Sequence, residues 1–157
     1  MKYILLVTAL LFGGCSVKEY EHTQTKVITI KSPKIKFSDV GYIRNSAKSI
    51  ELELFIAGKS IEKFSIDTFI CTTKEGCMSK SSFNADYLNS VYPDDILQNI
   101  LLSGAIYGGK NLQKESDGFV QHIKDENVDI TYVVDASGTY FKDRKNGIIF
   151  SIKEANE

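Results

Sequence analysis

Histidine is scarce in this chain: only His22 and His122 occur among 157 residues. Cysteine is nearly as rare, with Cys15, Cys71 and Cys77. A metal centre at the cysteine pair would need further ligands nearby, and His22 and His122 are the only histidines. The acidic residues are scattered without calcium-loop spacing, so no metal and no cofactor is expected. No serine stands in a nucleophile-elbow motif. Gly104, Gly108 and Gly109 lack the following Lys-Ser/Thr or the strand context of a phosphate loop. A surplus of one charge is also missing, the formal net charge being −1, which argues against nucleic acid as a partner. Only two prolines and a mixed charge pattern argue against extended disorder, and nothing repeats at a solenoid period. No catalytic residue is assigned, and the chain is read as non-enzymatic.

What the sequence does have begins at its start. Met1-Lys2 carries one charge, residues 3–12 are uncharged, and Gly13-Gly14 precede Cys15. The apolar run is about half of the ~20 residues that a spanning helix needs. A charged start, a short apolar run and small residues at a cleavage site make a secretory signal peptide. With the cysteine placed directly after them, the segment resembles the lipobox of bacterial lipoproteins. That resemblance implies diacylglycerol on the Cys15 thiol, cleavage before it and acylation of the new amino end. Ser16 in place of an aspartate resembles the sorting signal for the outer membrane. Two acyl chains hold a protein stably on a bilayer, at ~0.8 kcal/mol per buried methylene. The alternative is an ordinary secreted protein with a stray cysteine.

The expected organisation is therefore a signal peptide over 1–14, a lipidated tether over 15–25 and one β-rich domain over 26–157. Removal of residues 1–14 leaves 143 residues with 18 basic and 20 acidic side chains, enough chain for one real core. Cys71 and Cys77 enclose Thr-Thr-Lys-Glu-Gly. In an oxidising compartment such a pair forms a disulfide more often than it binds metal. Two free buried thiols are the alternative.

Along the domain, period-two patterns dominate. Val27 to Ile30 is β-branched, Pro33 ends that run or marks an edge, and Lys34 to Phe37 alternates. The clearest hairpin has Ile50, Leu52, Leu54 and Ile56 on one face, a turn at Ala57-Gly58-Lys59-Ser60, and Phe64, Ile66, Thr68 and Ile70 returning. Pro93-Asp94-Asp95 opens an amphipathic segment of about ten residues with Ile96, Leu97, Ile100 and Leu101 on one side. Proline and aspartates suit a helix start, and Gly104 suits its end. A shorter helical turn is expected within residues 84–90. Strands return at Phe119–Ile123, at Val128 to Val134, at residues 139–142 and at residues 148–152, with Asn146-Gly147 as a hairpin signal. His22 falls in the tether and His122 inside a strand. Asp94 and Asp95 are read as helix capping rather than as paired catalytic carboxylates.

The predicted fold is mostly β with α (α+β): a curved antiparallel sheet or half-open β-barrel covered by one or two short helices. This order of elements resembles the outer-membrane lipoprotein receptors and periplasmic lipoprotein carriers. The points of likeness are Gly14-Cys15, the hairpin over residues 50–70, the proline-led run 93–104 and the strand-rich tail 119–152. The resemblance implies a protein that is lipid-anchored in the outer membrane, faces the periplasm and binds an acyl chain or other apolar ligand in envelope lipid or lipoprotein traffic. Candidate lining residues are Leu52, Leu54, Ile56, Phe64, Ile66, Ile96, Ile100 and Leu101, whose plain alternative is core packing. A lipid-anchored structural or interaction module of an envelope protein complex is the competing expectation, favoured by a solid core.

Overall fold

A computed structural model of the chain describes residues 19–155; Cys15 and the signal segment lie outside the described residues. The strands are β1 (His22–Lys31), β2 (Lys36–Asn45), β3 (Ile50–Ile56), β4 (Lys59–Ile66), β5 (Ile70–Thr72) and β6 (Gly76–Met78). Two helices follow, α1 (Lys80–Tyr87) and α2 (Ile96–Leu101), then a 3₁₀ turn at Tyr107–Gly109. The chain returns to strands in β7 (Leu112–Glu115), β8 (Gly118–Lys124), β9 (Asp129–Asp135), β10 (Gly138–Asp143) and β11 (Ile148–Glu154). β1 begins at His22, so residues 22–25 belong to the sheet and not to the tether.

All eleven strands form one open antiparallel sheet in the order β6-β5-β4-β3-β2-β1-β11-β10-β9-β8-β7. Every ladder but one joins neighbours in sequence. The exception pairs the first strand with the last, setting Ile28 opposite Ile152 and Ile30 opposite Phe150. Two meanders are thus fused at the middle of the sheet, and the helical segment runs between its outer edges. The sheet is curved. β4 and β11 would lie ~19 Å apart in a flat sheet with strands ~4.8 Å apart. Yet Phe64 of β4 and Phe150 of β11 line the same small cavity with residues of both helices.

The predicted alternation explains the core face. Leu52 pairs with Phe64 and Ile50 with Ile66, and all four are buried. The pattern does not run on to Ile70 in one strand. The Asp67 carboxylate accepts the Phe69 N–H at 3.0 Å, turning the chain at 67–69 in the way aspartate favours. Ile70 then starts β5. A register shift between Leu54 and Phe55 leaves Ile61 as an extra residue on β4. Ile56, expected to face inward, stands at the hairpin tip beyond the helical cover and is 50% exposed.

The helices differ from expectation in length and start. α1 begins earlier than residue 84, with the Ser79 hydroxyl accepting the Ser82 N–H at 3.1 Å, the bond of an N-cap. α2 has six residues rather than about ten. Residues 93–95 form a turn closed by the Ile96 N–H on the Pro93 carbonyl at 3.1 Å. The Asp95 carboxylate makes no capping bond and instead accepts from the Asn99 side chain at 3.0 Å. At the other end the left-handed residue is Ser103, at φ 57°. Gly104 donates its N–H to the Asn99 carbonyl at 2.7 Å, completing a Schellman closure. Asn146-Gly147 lies in a longer turn, residues 144–147, with Gly147 at φ 67°. At Gly118 the sheet permits only glycine, because a Cβ would stand 1.8 Å from the Val134 carbonyl oxygen.

Candidate functional site

Seven of the eight predicted lining residues meet in one place. Leu52, Leu54, Phe64, Ile66, Ile96, Ile100 and Leu101 are buried in a continuous core with Ile28, Ile30, Phe141 and Phe150. Aromatic rings fill much of it. Phe83 and Tyr87 of α1 stack at 4.5 Å, and both meet Phe64 edge-on, at 5.9 and 6.2 Å. The cavity left between the helices and the sheet measures about 10 Å³, roughly the least space that admits one water. The interior is therefore filled.

Space opens instead at one end of the sheet. A groove of about 290 Å³ lies between residues 34–37, the β3–β4 hairpin, the β5–β6 turn and α1. It is lined by the buried or half-buried Ile35, Phe37, Leu54, Phe64 and Tyr87 together with the buried Glu62, and by the exposed Ile61, Lys34, Lys36, Lys74 and Glu75. Of the predicted lining residues, only Leu54 and Phe64 reach it. The alternation at Lys34-Ile35-Lys36-Phe37 was the signal for Ile35 and Phe37. Ile61 and Tyr87 had no such signal, because the bulge and the position of α1 bring them in.

Most of the rim is paired. Lys34 bonds Glu75 at 3.1 Å, lies 3.6 Å from Asp86 and sits 4.7 Å from the Tyr87 ring centre. The hydrogen bond from Lys34 holds the Glu75 carboxyl below its ordinary range, and the same bond raises the Lys34 ammonium. The Glu62 carboxylate accepts the Thr73 N–H at 2.9 Å and lies 3.6 Å from Lys74. One wall of the groove is braced covalently. Cys71 and Cys77 stand directly opposite each other on β5 and β6 and form a disulfide, closing the hairpin that presents Lys74 and Glu75.

The cover is held differently on its two sides. Towards β8–β10 it is pinned by buried hydrogen bonds. The fully buried Asp143 carboxylate accepts from the Tyr92 hydroxyl at 2.7 Å and the Asn146 amide at 2.6 Å. Burial works to raise that carboxyl, but these bonds and backbone N–H groups hold it below its ordinary range. Burial, then Asp143, pushes the Tyr92 phenol far up. Gln121 clamps the loop before β7 through both Ile106 backbone groups, at 2.8 and 3.0 Å, and through the Lys110 carbonyl at 2.7 Å. Tyr132 donates to the Gly104 carbonyl at 2.8 Å. Towards β4 and β5 it is held by the Phe64–Phe83–Tyr87 ring contacts and by hydrogen bonds between Tyr87 and Thr72 and Glu75.

The N-terminal segment enters at the end opposite the groove. The Glu21 N–H donates to the Asn45 carbonyl at 3.0 Å, and the Tyr20 hydroxyl donates to Glu51 at 3.1 Å. Glu51 is buried and also binds Arg44 at 2.6 Å and Lys63 at 3.3 Å. Burial, with Glu51 beside it, pushes the Tyr20 phenol up to about 12. His22 and His122 are exposed on β1 and β8. Among the described residues no group of histidine, cysteine and carboxylate side chains is placed to hold a metal ion, and no helix is long and apolar enough to cross a membrane. Comparisons with protein-family models, with curated proteins and with solved structures find no match to the chain.

Proposed function

We propose that the chain is a non-catalytic lipoprotein, anchored in the outer membrane through Cys15 and facing the periplasm. In this reading its curved sheet is a half-open barrel that takes an acyl chain or other apolar ligand at its mouth, in envelope lipid or lipoprotein traffic. The observation that carries the reading is the groove of about 290 Å³ whose lining includes Ile35, Phe37, Leu54, Phe64 and Tyr87, set at the open end of the sheet. That size is at the low end of ligand pockets, which run to ~300–1,000 Å³. It suits the end of a chain, and each further methylene buried would contribute ~0.8 kcal/mol. Deeper entry requires α1 to lift from Phe64, breaking its ring contacts with Phe83 and Tyr87 and the Tyr87 hydrogen bonds to Thr72 and Glu75.

The anchor also orients the mouth. Five residues from Cys15 to Tyr20 reach at most ~17 Å, whereas the ten residues of β1 span ~33 Å. The mouth therefore cannot meet head-on the bilayer that holds the anchor. The filled interior favours a second reading, a lipid-anchored structural or interaction module of an envelope complex. The test uses a Cys15→Ala chain, expected to leave the membrane fraction and lose acyl labelling. The soluble product should bind a fluorescent fatty acid saturably. Unchanged fractionation and labelling would remove the lipoprotein assignment; no saturable binding would leave the interaction module.

A further inference from the structure

Glu62 is a carboxylate on the core side of the sheet. It stands opposite Leu54 on the β3–β4 ladder and two residues before Phe64, so the three side chains share one face. It is 8% exposed and lines the groove together with Leu54, Phe64 and Tyr87. One of its oxygens is held by the backbone, accepting the Lys63 N–H at 3.1 Å and the Thr73 N–H at 2.9 Å. The other lies 3.6 Å from the Lys74 ammonium, beyond hydrogen-bond length. The Lys74 side chain is itself 70% exposed. A buried carboxylate is tolerated only when it is paired and hydrogen-bonded, and here one oxygen faces a cation that stays out in water.

We propose that Glu62 selects the ligand of the groove, a single-chain amphiphile whose head carries an uncharged hydrogen-bond donor, a hydroxyl or an amide N–H. The donor bonds the Glu62 oxygen that faces Lys74, and the chain lies against Leu54, Phe64 and Tyr87. This inference rests on the acyl-chain reading above and names the class of its ligand. Charge excludes the other heads. A carboxylate or phosphate would lie against Glu62, and repulsion between like charges is strongest where water is excluded. An ammonium would enter among Lys34, Lys36 and Lys74. A hydroxyl or amide avoids both repulsions. It can donate to Glu62 while accepting from Lys74, filling a gap too wide for those two to bond directly, and a hydrogen bond to an ionised acceptor is about twice as strong as a neutral one.

The soluble Cys15→Ala chain would be titrated calorimetrically with decanol, decanamide, methyl decanoate, decanoate and decylammonium. Methyl decanoate has the chain but no donor. A hydrogen bond to a charged acceptor is worth about tenfold in affinity, so decanol, decanamide or both should bind about tenfold more tightly than the ester and than either ion. Which of the two shows it identifies the donor as hydroxyl or amide. Glu62→Gln keeps the size and an acceptor for the Thr73 N–H but removes the charge. It should cut the donor advantage over the ester to about threefold and tighten decanoate binding. A glutamate with only a structural role would weaken every ligand alike on replacement and leave that ratio unchanged, which would overturn the assignment. Equal affinity for decanol, decanamide and the ester in the parent chain, or tightest binding of either ion, overturns it too; each leaves the acyl-chain reading intact. Binding of none of the five overturns both.

Discussion

Replacing Phe64 by alanine decides whether the space beneath α1 is close-packed core or a site waiting to be filled. The ring is 1% exposed, meets Phe83 and Tyr87 edge-on and borders both the small internal cavity and the groove. Truncating a buried phenylalanine costs ~3–5 kcal/mol, and each ring pair lost adds to the burial term ~0.5–1.5 kcal/mol. Because the surrounding cavity is only about 10 Å³, the site has little slack with which to collapse, and a loss of ~4 kcal/mol is expected. With a urea m-value of ~1.5 kcal/mol/M, the midpoint should fall by ~2.5 M at unchanged m. The same truncation joins the internal cavity to the groove, so the folded variant should bind a fluorescent fatty acid more tightly than the parent. Equilibrium urea unfolding followed by circular dichroism measures the first effect and probe titration the second. A midpoint shift below ~0.5 M would refute the close-packed interface between α1 and β4, and with it the claim that the interior is filled.

Two further outcomes are expected. Reducing the Cys71–Cys77 bridge should lower stability by ~2.4 kcal/mol, the chain-entropy value for a loop of about seven residues; modification of both cysteines by a thiol reagent in the native, unreduced protein would contradict the bridge. Asp143 is held below its ordinary range, so its contribution is present above pH ~4, the unfolded value, and is lost as the pH falls through the folded value. Asp143→Asn should therefore cost ~1–3 kcal/mol at pH 7 and distinctly less at pH 3. Urea titrations of both proteins at the two pH values would show it, and a gap independent of pH would refute the role given to the ionised carboxylate.

How much of this was legible in advance follows from the range of each interaction. Alternation identified Ile50, Leu52, Leu54, Phe64 and Ile66 as one buried face, because side-chain direction in a strand depends only on residue parity. The same rule failed at Ile56 and at residues 67–70, where the end of the helical cover and an aspartate turn intervene. β6 and β7, of three and four residues, are too short to display a period. Local chemistry sufficed for the Cys71–Cys77 bridge, since a hairpin turn brings such neighbours together.

The sequence by itself determined a mostly β chain with short helices between two sets of strands, because hydrophobic period and turn chemistry act over a few residues. Only the tertiary structure decided that β1 pairs with β11, that α1 and α2 lie beneath the curved sheet, and that the interior is filled. It alone placed Tyr87 and Ile61 with Leu54 and Phe64 around one groove. Those outcomes depend on contacts between residues far apart in the chain and on how volumes fit when the sheet curls. No local pattern encodes that fit.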